Sequence, residues 1–242
     1  MTPSPTLAAI VDANPASVRI LERHQLDYCC GGRRTLEQAC AERDLDPAAV
    51  LAELGALQPA AAADWTTMEP AQLVDHIEST HHRYLHEELP RLAALTDKVV
   101  GVHGTRHPEL HRVKVTFSAL RDDLEPHLMK EERVLFPMIR DLADATTAPT
   151  FHCGSVANPI RMMLLEHDRA GELLAELRDI THEFHPPEDG CASYQALYHG
   201  LAEIEADTHL HVHKENNVLF PAVLALEDAL STRCVFDGYG PH

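Results

Sequence analysis

From residue 66 to 231 apolar side chains recur at helical spacing in four long runs. The first covers about 69–98 and carries Leu73, Ile77, Leu85, Leu89 and Leu92. The second covers about 108–142. The third covers about 159–183, with Met162, Met163, Leu165, Leu173, Leu174 and Leu177, and the fourth about 193–230. Pro90 and Pro126 fall inside the first two runs, where each is expected to kink its helix. Segments 101–107, 146–158 and 186–191, rich in Gly, Pro or Thr, separate the runs. Four helices of this length with short connections predict an all-α, antiparallel up-down four-helix bundle.

The first 57 residues predict short helices instead. Asn14 and Pro15 form a start signal for a helix ending near His24. Gly31 and Gly32 mark a turn after Cys29 and Cys30. Thr35 and Gln38 have capping-box spacing, and Asp46-Pro47 opens another helix. Residues 58–64 lack any period and predict a linker. The expected organisation is a small helical domain over 1–60, a bundle over 66–232 and a frayed tail over 233–242.

Composition narrows the function classes. A formal charge of −18 argues against binding nucleic acid or an anionic membrane surface. No stretch approaches the length of an apolar membrane span, and the first residues lack the basic and apolar regions of a signal peptide. The expectation is therefore a cytoplasmic protein, whose 6 cysteines serve as thiols, ligands or redox groups rather than as a disulfide framework.

An eleven-residue phrase occurs twice. Residues 127–137 read HLMKEERVLFP and residues 211–221 read HVHKENNVLFP, identical at seven positions. In each copy a His and a Glu stand four apart, His127 with Glu131 and His211 with Glu215, so each pair shares one helix face. An isolated pair of this kind is commonly a surface contact. Here both copies precede the same Val-Leu-Phe-Pro, which needs burial, and an unpaired buried carboxylate is costly. His82 precedes His127 by 45 residues and His167 precedes His211 by 44, so each half of the bundle offers a His from its first helix. The set is four imidazoles and two carboxylates: His82, His127, Glu131, His167, His211 and Glu215.

Mixed imidazole and carboxylate ligands suit iron, with manganese or zinc as alternatives. Two carboxylates between two helix pairs are placed to bridge two cations, each taking two imidazoles and keeping open positions for oxo or hydroxo bridges, dioxygen, peroxide or nitric oxide. His82 is preferred over His81 because it is in phase with Leu85 and Leu89. His76, His86, His103, His107, His111, His152, His182, His185 and His199 are expected at the surface or in loops. Glu166 is expected either beside the ligands, along an access path, or simply solvated.

These residues resemble the Repair of Iron Centres family, di-iron proteins that repair iron–sulfur clusters and whose large domain is a hemerythrin-like four-helix bundle. The resemblance rests on residues 26–40 (LDYCCGGRRTLEQAC), 87–90, 127–137, 166–172 and 215–221, and covers nearly the whole chain. It implies the same six ligands, a non-haem di-iron centre, damaged iron–sulfur proteins as clients, and restoration of clusters after nitrosative or oxidative damage. His86 stands where the family usually has Arg, and the 146–158 segment is longer than usual. A homodimer is left open.

Cys29 and Cys30 are the candidate redox thiols. A following helix start together with Arg33 and Arg34 is expected to lower a thiol pKa, the alternative being two small buried side chains beside a turn. Cys40, Cys153, Cys191 and Cys234 lack motif context and are expected to be structural. The leading expectation is repair by iron release or by nitric oxide reduction. Its rivals are a hemerythrin-like dioxygen or nitric oxide carrier or sensor, a peroxide-handling or ferroxidase-like enzyme, and a metal-free bundle.

Overall fold

The computed structural model describes residues 4–58 and 64–237, with side chains up to residue 232. Most of the expected linker, residues 238–242 of the expected tail and the side chain of Cys234 lie outside the described residues.

The N-terminal region folds as α1 (Leu7–Ala13), α2 (Val18–Arg23), α3 (Leu36–Glu42) and α4 (Pro47–Gly55). α1, capped by the Thr6 hydroxyl, adds to the elements expected from the sequence. Asn14-Pro15 opens a short 3-10 turn that leads into α2, and His24 caps its end. Thr35 and Gln38 form the expected capping box, and the Asp46 side chain accepts the Ala48 amide at the start of α4. Each cap satisfies an amide that the first helical turn cannot pair internally.

Four long helical rods follow. The first is α5 (Pro70–Ile77), a π segment (Glu78–His82) and α6 (Arg83–His103). The second is α7 (Glu109–Lys130), a π segment (Glu131–Leu135) and α8 (Phe136–Ala143). The third is α9 (Ala157–Ile180). The fourth is α10 (Ala192–His213), a π segment (Lys214–Leu219) and α11 (Phe220–Asp237), which carries helical backbone into the expected tail. α7 packs on α6 and α9, and α10 packs on α6 and α9, which closes a four-helix bundle. Among the described residues there is no strand, and no helix is long and apolar enough to cross a membrane.

Pro90 and Pro126 sit inside α6 and α7 without interrupting either helix. The departures from α geometry are the three π segments. Two of them end just before Phe136-Pro137 and Phe220-Pro221, where a proline fits the first turn of the restarting helix because the N–H it lacks needs no partner there. π turns inside α-helices are rare and gather at functional sites.

Apolar packing in the bundle splits into two layers. One runs through Leu85, Leu89, Leu120, Leu124, Leu173 and Leu201, and the other through Leu73, Ile77, Leu135, Phe136, Ile160 and Phe220. The six candidate ligands lie between these residues of the two layers in sequence, with at least one on every rod. On α9 the buried stripe is Ile160, Met163, His167, Ala170, Leu173, Leu174 and Leu177. Met162 and Leu165 point outward, Met162 at the margin of that stripe and Leu165 on the far face.

Candidate metal centre

His127 and Glu131 stand at the junction of α7 with its π segment, and His211 and Glu215 at the junction of α10 with its own. His82 ends the first π segment, and His167 comes from the uninterrupted α9. The fold brings all six sequence-derived residues to one place. All are buried, and both carboxylates are at 0% exposure.

The geometry is two-fold. His82, Glu131, His211 and Glu215 offer ligand atoms within 4.8 Å of one another, and so do His127, Glu131, His167 and Glu215. Both carboxylates belong to both groups. Glu131 Oε2 lies 3.4 Å from His82 Nε2 and 3.2 Å from His127 Nε2. The Glu215 oxygens lie 3.1 Å from His167 Nε2 and 3.2 Å from His211 Nε2. His127 Nε2 and His167 Nε2 face each other at 3.2 Å.

These contacts are short but poorly satisfied. All four oxygens of Glu131 and Glu215, with His82 Nε2 and both ring nitrogens of His211, are buried without a hydrogen-bond partner in acceptable geometry. Desolvating each ion costs several kcal/mol, whereas burying a Leu gains about 1.5–3 kcal/mol, so neighbouring apolar packing does not offset two bare carboxylates. Convergent, dry, unsatisfied imidazole and carboxylate atoms fit a cationic occupant. The donor set holds no thiolate, which separates it from structural zinc sites of cysteine type.

Outer contacts aim the rings. His127 Nδ1 meets Glu166 Oε2 at 2.9 Å, His82 Nδ1 meets Glu132 Oε1 at 3.0 Å, and His167 Nδ1 meets Asn216 Oδ1 at 2.8 Å. With Nδ1 held outside, each Nε2 points into the cluster, the arrangement that supports metal-binding imidazoles. Glu166 is thus a partner of His127 and also pairs with Lys130. Glu132 is shared with the half-exposed His86 at 2.8 Å. Glu132 and Asn216 escaped the sequence argument, because their residue types differ between the two copies; each stands inside the phrase, one position after the glutamate ligand candidate.

Charge follows from this layout. Burial opposes an imidazolium at His127, but Glu131, Glu166 and Glu215 outweigh it and push the pKa up to about 10. His82 is raised against burial by Glu131 and Glu215. Burial pushes both carboxyls up, and at Glu131 the charge of Glu215 adds to it; the surrounding imidazoles prevail, holding Glu131 below its ordinary range and Glu215 well below it. Protons on imidazole therefore act as countercharges to the carboxylates when no metal ion does so.

His81, beside His82, is buried as well but faces elsewhere. Its ring stacks on His211 at 5.4 Å, with Asp207 and Lys214 at its two nitrogens. His76, expected at the surface, is only partly exposed and contacts Lys214.

The Cys29–Cys30 turn is fastened to the fourth rod. His213 Nδ1 lies 3.2 Å from the Tyr28 carbonyl, and Asn217 donates to the Cys29 carbonyl at 2.9 Å. A Cβ on Gly32 would come within 2.4 Å of the Tyr28 carbonyl oxygen and 2.7 Å of Asn217 Oδ1, so this approach requires glycine. Asp27 Oδ1 accepts both cysteine amides, at 3.1 and 2.9 Å, and lies 3.2 Å from Cys29 Sγ. The expected thiol activation is not what Cys29 experiences. Its contact with Cys30 and its burial, with Asp27 adding to both, push the thiol pKa well up. The positive charge of Arg34 is turned toward Asp27 and Glu42, and the nearest helix begins only at Leu36. Cys30 is more exposed, and both cysteine residues line a cavity of about 830 Å³ against α9 and α10.

Comparison with known proteins matches this architecture. The hemerythrin HHE cation binding domain family matches residues 73–223, and a domain of unknown function, DUF542, matches residues 4–58. The chain is 36% identical over 222 residues to a protein of Haemophilus influenzae named probable iron–sulfur cluster repair protein, covering 90% of this chain and 96% of the relative. The same identity and coverage hold for the iron–sulfur cluster repair proteins YtfE of Yersinia pseudotuberculosis and Yersinia pestis.

Proposed function

The chain belongs to the hemerythrin HHE cation binding family and, within it, to the iron–sulfur cluster repair proteins; from that premise we propose that it restores iron–sulfur clusters damaged by nitrosative or oxidative stress. Its resident group in this proposal is a pair of non-haem irons, which His82, His127, His167, His211, Glu131 and Glu215 would hold. The observation that carries it is the sharing of two buried, unsatisfied carboxylates by two His-containing groups. When bound, iron supplies redox chemistry and exchangeable positions for nitric oxide, dioxygen or peroxide.

The protein's own residues do the rest. Glu132, Glu166 and Asn216 orient three imidazoles, and the apolar layers flanking the ligands along the rods limit water. Residues 1–60 form the thiol-bearing domain and 66–232 the metal-bearing one. Cys30, the more exposed thiol, is the reacting member of the pair, with Cys29 behind it. Clients are iron–sulfur proteins, served by iron release or by removal of nitric oxide.

The test is recovery of activity in a nitric-oxide-damaged iron–sulfur enzyme. Iron-loaded protein is expected to restore it, and Glu131→Leu is expected not to. Equal recovery with both proteins would refute the reading. The burial and raised pKa of Cys29 favour one alternative, a dioxygen- or nitric-oxide-binding sensor without turnover. Catalytic consumption of nitric oxide under a reductant excludes that alternative, and stoichiometric binding alone favours it.

A further inference from the structure

Lys214 is 3% exposed, an unusual state for a lysine. Its Nζ lies 2.8 Å from His76 Nε2 and 2.8 Å from His81 Nε2, and 4.6 Å from the centre of the Trp65 ring. An ammonium can only donate, so both imidazole nitrogens present lone pairs to it. The tautomer of His81 follows. With Nε2 accepting, Nδ1 carries the proton and donates to Asp207 Oδ1 at 2.8 Å. This is how a metal-binding imidazole is held, by a carboxylate on the nitrogen that faces away from the cation. Lys214 Nζ therefore occupies a point where two imidazoles, one of them held in this way, converge on positive charge.

The position leads to the metal centre. Trp65 and His76 are partly exposed, His81 is buried, and the His81 ring stacks on that of His211 with 5° between their planes. The rings of His76 and His81 are 6.4 Å apart, and those of His81 and His211 are 5.4 Å apart. Three imidazoles thus step from the surface to the centre, with Lys214 across the first step. Asp207 Oδ2 and both nitrogens of His211 are buried without partners.

We propose that His76 and His81 form a port for a divalent transition-metal cation on its way to or from the centre, and that the Lys214 ammonium is the tethered plug that closes it. The port rests on the metal reading of the centre given above. Displacing the ammonium leaves two neutral imidazoles, which a metal ion draws in to about 2.1 Å. The plug slows exchange of the resident metal and leaves the six ligands untouched.

The test uses the full chain with Zn²⁺ as probe. Bound metal is counted by elemental analysis, and release into excess chelator is followed with time. Lys214→Met keeps the apolar stem and removes the charge. It is expected to bind an extra zinc and to release metal about tenfold faster than wild type. Adding His76→Ala to it is expected to remove the extra zinc, and Lys214→Arg, which keeps a plug, to behave as wild type. His76→Ala alone, at a partly exposed position, removes the outer half of the port and one of the two acceptors of Lys214 while leaving the lysine in place; slower release is expected. Wild-type stoichiometry and release in Lys214→Met, or unchanged release in His76→Ala if Lys214→Met does not fold, would overturn the port. A wild-type chain that binds no zinc fails the reading of the centre instead, while extra binding by Lys214→Met over wild type still reports the port.

Discussion

The two copies of the duplicated phrase supply the same chemistry to the centre and opposite chemistry to their surroundings. His127 and Glu131 match His211 and Glu215 in spacing, burial and contact distance. The lysine before each glutamate is identical too, yet Lys130 is half exposed and pairs with Glu166, whereas Lys214 is buried between His76 and His81. The next position diverges further: Glu132 supports His82 across the bundle, while Asn216 supports His167. Around the second copy, His213 and Asn217 hold the Cys29–Cys30 turn, and the first copy has no such attachment among the described residues. An inward face repeats because the ligand task repeats. The outward faces part because one meets solvent and the other meets the N-terminal domain.

The largest expected effect tests the shared inward face. Because each carboxylate belongs to both four-residue groups, Glu131→Leu and Glu215→Leu are each expected to abolish stable metal binding, measured as metal per chain. Loss in one variant and full retention in the other would break the symmetry. The next effect is outward and specific to the first copy. Glu166→Gln weakens the hold on His127 Nδ1 and is expected to lower metal affinity by about 10–100-fold, measured by competition with a chelator. Lys130→Met, at an exposed ion pair, is expected to change stability by no more than about 1 kcal/mol in a denaturant titration.

Gly32→Ala probes the second copy alone. The added methyl meets the Tyr28 carbonyl and Asn217, so a loss of about 1–3 kcal/mol is expected in the same titration, with metal content intact. A further effect is graded with pH. In metal-free protein the raised pKa of His127 contributes stability that is full below its unfolded value of about 6.5 and is lost as pH rises toward about 10. The depressed carboxyls contribute in the opposite sense: their stabilisation is present above about 4.5 and is lost as pH falls. Metal uptake at neutral pH is therefore expected to release protons, detectable with an indicator dye in weak buffer, and affinity is expected to rise with pH.

The bundle was legible in the sequence because its apolar stripes keep helical period over long runs and its loops carry Gly and Pro. The convergence of His82, His127, Glu131, His167, His211 and Glu215 was legible because the phrase is duplicated and the two His spacings agree to one residue. The π segments were not, since a π turn leaves little mark on period and is set by packing and, on the second and fourth rods, by the proline that follows. Nor were the roles of Lys214, His81 and Asp207, because His81 lies 126 residues from Asp207 and 133 from Lys214 and meets them only across rods. Met162 and Leu165 misled because an outward apolar residue on a helix looks like an inward one until the face is fixed. At Cys29, nearby arginines suggested activation, but Asp27 takes both amides and Arg34 turns away.

The most direct test of the centre is anomalous diffraction from crystals of iron-loaded protein. Two iron peaks are expected, one among His82, Glu131, His211 and Glu215 and the other among His127, Glu131, His167 and Glu215, each within bonding distance of both carboxylates. A single peak, or none near Glu131 and Glu215, would contradict the shared-carboxylate site.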